Sequence, residues 1–223
     1  GSGDLTISGT SYLNTLAGGS AFLNNRTFVT AGSVTIGQTG ATMIFGRDIT
    51  MSGSANVSFL GSVILAGDLA NKGTGAWTLA SGATLQLGVG GTSGSIDGGT
   101  SFDLHAGNLV FNRYDDLLYS GAFTGTGSLT KSGAGGLTLT GANTYSGKTL
   151  VASGTLRVNP GSRVGSGLLE VYAGASVVLE GSSTVDNITG AGAIEINRCT
   201  LTLNKAAAWY DYFTGTLSGN GKI

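Results

Sequence analysis

Between Gly125 and Asn159 the chain reads GTGSLTKSGAGGLTLTGANTYSGKTLVASGTLRVN, very short alternating runs cut apart by glycine and asparagine. Successive side chains of an extended strand point to opposite faces. In Leu137-Thr138-Leu139-Thr140, Thr149-Leu150-Val151 and Thr155-Leu156-Arg157-Val158 the expectation is therefore leucine and valine inside, threonine outside. Glycine gives the backbone the freedom to turn between such strands. Strands this short cannot each build a core. At this spacing they describe a coiled β-solenoid, in which every turn buries its apolar side on its neighbour.

Composition removes several alternatives. Glycine accounts for 41 of 223 residues, a level that suits a linker, but hydrophobic residues make up 40 %. That much apolar surface calls for a core rather than a disordered chain. Charged residues are only 10 %, well under the roughly 25 % of ordinary domains, so threonine, serine and asparagine must form most of the solvent face. The net charge is −1 with no cluster of lysine or arginine, which argues against a nucleic-acid partner. Cys199 is the single cysteine; it can form no internal disulfide and reads as a small buried strand residue. No apolar run approaches the roughly 20 residues of a membrane-spanning helix, and Gly1-Ser2-Gly3-Asp4 is not a signal peptide.

Two elements recur. One is Gly-x-Gly with an apolar residue two positions on, as in Gly73-Thr74-Gly75-Ala76-Trp77, Gly125-Thr126-Gly127-Ser128-Leu129 and Gly190-Ala191-Gly192-Ala193-Ile194. The other is a small residue, a glycine and an alternating run, as in Ala31-Gly32, Ser81-Gly82, Ala106-Gly107, Ser153-Gly154 and Ala173-Gly174. Their uneven intervals predict coils of varying length with extra loops. A short helical turn is expected only within Leu203–Tyr212, around Ala206-Ala207-Ala208-Trp209-Tyr210. No linker or charge block divides residues 1–223, so one continuous domain is expected. Both ends fall within the repeated element, which suggests a piece of a longer rod.

The run Leu129-Thr130-Lys131-Ser132-Gly133 to Leu137-Thr138-Leu139-Thr140-Gly141, continuing through Asn143-Thr144-Tyr145-Ser146-Gly147, resembles the passenger-associated transport repeat of autotransporters. Val151-Ala152-Ser153-Gly154-Thr155-Leu156 is similar to that repeat's close, and the resemblance covers residues 129–159. It implies a right-handed parallel β-helix, exported across the outer membrane of a Gram-negative bacterium to the cell surface or beyond. It implies as partner an outer-membrane β-barrel translocator in the same precursor, beyond Ile223. The repeat itself brings no catalytic residues. Passengers of this kind include adhesins, self-association factors, toxins and proteases.

Chemistry is sparse. His105 is the only histidine, and no G-x-S-x-G elbow accompanies it, so a serine-nucleophile triad has little to stand on. Asp115 and Asp116 are adjacent and would diverge on a strand rather than flank one glycosidic bond; loop positions beside Arg113 are expected. Gly147-Lys148-Thr149 mimics the end of a phosphate loop, but Ala142 stands where the earlier glycine must be. Trp209, Tyr210, Tyr212 and Phe213, around Asp211, form the densest aromatic cluster, readable as a sugar or protein contact or as core filling. Thr138, Thr140, Thr200 and Thr202 read as ordinary outward strand residues.

No catalytic, cofactor-binding or metal site is assigned. The expectation is an all-β, right-handed parallel β-helix serving as a structural stalk of an exported passenger. Supporting passenger folding and secretion is its expected work, with a host surface, a glycan or self-association as further partners. The alternatives are a β-helical carbohydrate-active enzyme and a glycan- or host-receptor-binding module.

Overall fold

The computed structural model describes residues 3–14, 19–97, 99–204 and 212–223. Every regular element among them is a β-strand, and every strand pairing is parallel. Parallel pairing of strands that follow one another so closely requires the chain to go round and return above itself. The result is a β-solenoid of about ten turns, as expected. At about 4.8 Å per level that makes a rod on the order of 50 Å long.

Each turn presents up to three strands. The central face is a ladder in which Ala21, Met43, Val63, Leu85, Leu109, Leu129, Thr149, Leu169 and Ile188 stack in register. A bridge from Gly190 to Phe213 adds the next level. The second face is carried first by Leu5–Ile7, Thr27–Val29, Ile49–Met51 and Leu69–Asn71. Farther along it is carried by the six-stranded sheet from Leu117–Tyr119 to Thr216–Gly219. The third face includes Ser11–Leu13, Trp77–Leu79, Phe102–Asp103 and Phe123–Thr124, then the pair Ser183–Val185 and Leu201–Leu203.

The coil is more regular than the recurring glycines suggest. Along the central ladder a turn takes between 19 residues (Leu169 to Ile188) and 24 (Leu85 to Leu109). It takes 20 in each of the three turns from Leu109 to Leu169. The repeated sequence elements sit at different corners, which hides this period. At one corner, Gly107, Gly127, Gly147 and Gly167 stand one above another. A Cβ on Gly127, Gly147 or Gly167 would run into the carbonyl oxygen of the glycine one turn before, so close approach of the backbones demands glycine there.

The interior is one continuous apolar column. Leu137, Leu139, Leu156 and Val158 are all buried, with Thr138 facing outward. Each such side chain contributes on the order of 1.5–3 kcal/mol by leaving water. The run Thr149-Leu150-Val151 departs from expectation. Period two cannot bury both Leu150 and Val151, and it is Thr149 and Val151 that point inward, with Leu150 half-exposed. Thr149 can be buried because its hydroxyl lies 2.7 Å from that of Tyr145.

Candidate functional site

The groups that invited a catalytic reading do not converge. His105 is exposed in a turn with φ +43°, and Asp103 accepts its backbone N–H at 2.8 Å. Asp115 and Asp116 lie in a bend after Asn108–Arg113. Asp115 pairs with Arg113 at 2.9 Å, and Asp116 accepts the Gly136 N–H at 2.7 Å. Both carboxylates are thus tied to structure, beside Arg113 as expected. Lys148 pairs with Glu170 across the turns at 2.9 Å and Thr149 is buried, so this stretch is no phosphate cradle. Among the described residues no group of three histidine, cysteine or acidic side chains could hold a metal ion.

Two expectations need adjusting. Cys199 is buried, but it sits in the bend before Leu201–Leu203 rather than in a strand. Its thiol meets the Leu179 carbonyl at 3.3 Å, and burial pushes its pKa up. The expected helical turn and most of the aromatic cluster, including Trp209, Tyr210 and Asp211, fall in residues 205–211, outside the described residues. Of that cluster, Tyr212 is exposed and Phe213 packs against the core.

What stands out instead is a polar and aromatic staple inside the transport-repeat region. Asn143 is fully buried. Its Oδ1 accepts the Phe123 N–H at 2.9 Å from the turn before, and its Nδ2 donates to Ser162 Oγ at 3.2 Å and the Arg163 carbonyl at 3.0 Å in the turn after. Ser162 donates in turn to the Gly141 carbonyl at 2.7 Å. One side chain therefore joins three consecutive levels through directional bonds at a buried position, where each is costly to leave unmade.

Rings pack next to it. Tyr119 stacks on Phe123 with centroids 4.4 Å apart, and Phe123 meets Tyr145 edge-on at 6.3 Å. Burial raises both tyrosine pKa values, that of Tyr145 to about 12 even with the opposing Thr149 hydrogen bond. The Tyr119 hydroxyl finds a partner in the Thr100 carbonyl. Both rings can sit inside because their polar tips are satisfied there.

A buried cation completes the region. Lys131 occupies the core position that Phe111 holds in the turn before and Val151 in the turn after. Its ammonium donates to the carbonyls of Gly133 at 2.6 Å and Ser153 at 3.2 Å. Burial pushes its pKa down to about 8, against the attraction of Asp116. Arg113, in the adjoining turn, is also buried, with Nε and Nη1 lacking a protein partner.

None of these residues was singled out from sequence as a site. Lys131, Asn143 and Tyr145 enter the sequence reading only as members of the repeat motif. The signal that could have found them is alternation carried through Asn143-Thr144-Tyr145, which puts Thr144 outside and its neighbours inside.

The comparisons with known proteins fall on the same stretch of chain. The family described as Passenger-associated-transport-repeat matches residues 129–158, the span that holds Lys131, Asn143, Tyr145 and Thr149. The chain is also similar to the adhesin BmaC autotransporter of Brucella suis biovar 1 (strain 1330), with 39 % identity over 112 residues. That alignment covers 50 % of this chain and only 3 % of the relative's length. No solved structure matches. Residues 129–158 match the passenger-associated transport repeat, and together with the likeness to BmaC this supports an autotransporter passenger, a kind displayed on or released from the outer membrane of Gram-negative bacteria.

Proposed function

We propose that this chain is a non-catalytic structural segment of an exported passenger, and that its transport repeat seeds the stacking of neighbouring coils as the passenger emerges. The observation that carries this reading is Asn143, which ties three successive turns together within the matched repeat. An isolated coil cannot bury its apolar face, so a solenoid grows on a turn already formed. A repeat whose own bonds fix its register is suited to be that first template. The partner on this reading is a β-barrel translocator carried by the same precursor.

Deleting residues 129–159 from the full-length precursor tests it. Surface labelling should fall, or the displayed passenger should become protease-sensitive, at matched expression. A control deletion of residues 129–148 removes one 20-residue turn and puts Leu109 directly over Thr149; it also removes Asn143. Normal display of a protease-resistant passenger in both would reduce the repeat to a spacer.

Surface adhesion is a second reading, favoured by the relative being named an adhesin. Binding of bacteria expressing the precursor to host cells, lost when this segment alone is removed without loss of display, would assign adhesion to it.

A further inference from the structure

The turns that follow successive strands of the six-stranded face stack into a corner column. Glu180 follows Ser176–Leu179, Asn197 follows Ala193–Ile196, and Asn220 follows Thr216–Gly219. Backbone bonds keep them in step: Glu180 N donates to Val158 O at 2.8 Å and Asn197 N to Leu179 O at 2.7 Å. Against this column lie two adjoining depressions that share Pro160, Glu180 and Arg198. The larger, about 530 Å³, reaches Asn197 and Asn220; the smaller, about 360 Å³, reaches Arg163 and Ser182. The larger falls within the roughly 300–1,000 Å³ of small-ligand sites.

The charges are arranged for an anion. Arg163 and Arg198 are exposed, and neither joins an ion pair among the described residues. Glu180, the acid of the groove, is already held by Arg157 at 2.9 Å. Two uncommitted guanidinium groups thus face one groove on a chain whose net charge is −1.

Arg198 is also placed against folding convenience. Its φ is +56°, and it is one of two non-glycine residues with positive φ among those described. Asn220 Oδ1 accepts the Arg198 N–H at 2.9 Å and holds the turn. A side chain kept where glycine would carry less strain points to a use outside folding.

We propose that this corner groove binds a carboxylate-bearing oligosaccharide. Arg198 and Arg163 take the carboxylates, for which the planar guanidinium fork is matched. Asn197, Asn220 and Ser182 offer the mixed donors and acceptors that sugar hydroxyls need. No exposed large apolar side chain lines the groove, which sets it apart from a peptide-docking surface built on apolar anchors. The proposal does not rest on the folding role given to residues 129–158, although the groove adjoins that region through the Arg163 carbonyl, which accepts from Asn143, and through Arg157, which holds Glu180.

Titration of the 223-residue chain with tetragalacturonate, its methyl ester and a sulfated tetrasaccharide, followed by calorimetry and ligand-observed NMR, tests the proposal. The acid should bind saturably, and more weakly as salt is raised. Arg163→Ala and Arg198→Gly should each lose about tenfold in affinity, the scale of one charge-assisted contact, and the methyl ester, which removes both contacts, about a hundredfold. Arg198→Gly relieves the positive φ, so its thermal midpoint should equal or exceed that of the parent, which separates lost binding from lost folding. No saturable binding of the acid at millimolar concentration would overturn the proposal. So would equal binding of the ester, affinity unchanged in both variants, or tighter binding of the sulfated probe.

Discussion

The turns before Leu109 and those after it are built on the same ladder but hold together differently. Up to Phe102 the interior is hydrocarbon and rings: Phe59 stacks on Trp77 at 5.8 Å and on Phe102 at 6.4 Å, and Thr27 is the one fully buried polar residue there among those described. From Arg113 to Asn187 the buried set adds Lys131, Asn143, Thr149, Ser162 and Ser183. The turns follow suit, at 20 to 24 residues in the first part and 19 or 20 from Leu109 to Ile188. Apolar contacts are non-directional and tolerate a turn with extra residues. Hydrogen bonds between levels have fixed geometry and hold the turn to one length.

The sharpest test of the inner surface is Leu139→Asp against Thr138→Asp. An unpaired carboxylate at a fully buried site should cost more than about 4 kcal/mol or prevent folding, whereas the outward neighbour should cost less than about 1 kcal/mol. Equal losses in urea unfolding would mean that the register is wrong.

Next in size is Asn143→Leu. It strands the Phe123 N–H and the Arg163 carbonyl, at an expected cost of about 2–4 kcal/mol. Phe59→Leu in the earlier turns should cost about 1–2 kcal/mol. Hydrogen exchange sharpens the contrast. Asn143→Leu should expose the turns around Phe123 and Ser162 together, and Phe59→Leu should leave exchange there unchanged. A uniform response to both would erase the distinction between the two regions.

The smallest effect concerns Lys131, whose pKa falls from 10.5 to about 8 on folding. Between those values the unfolded chain binds more protons than the folded one, so stability should rise with pH from about 8 towards 10. Below pH 8 the ammonium is charged in both states and its desolvation is fully felt. Lys131→Met should therefore stabilise the fold at pH 7 by about 1–2 kcal/mol and flatten that rise. Above pH 10 the raised values of Tyr119 and Tyr145 act in the opposite direction, since only the unfolded chain ionises. A slope unaltered by Lys131→Met would assign the pH dependence elsewhere.

The solenoid was legible because alternation in Gly136–Leu139 and Thr155–Val158 leaves a single way to bury leucine and valine. The same rule read too simply placed Thr149 outside. It weighed the side chain's polarity and could not see Tyr145 across the turn. Lys131 and Asn143 were illegible for a related reason: a polar side chain is buried only when partners from other levels satisfy it, and those partners lie 19 to 22 residues away. The 20-residue period was masked because the recurring glycines mark corners rather than a common point on the coil.

The stacked corner glycines Gly107, Gly127, Gly147 and Gly167 have a consequence for how such a rod can change over generations. Since each turn between them is the same length, a gene segment encoding one turn can be duplicated or lost in frame with every column still aligned. The rod can then lengthen or shorten by whole levels while its outward corners, where Arg198 sits, vary independently.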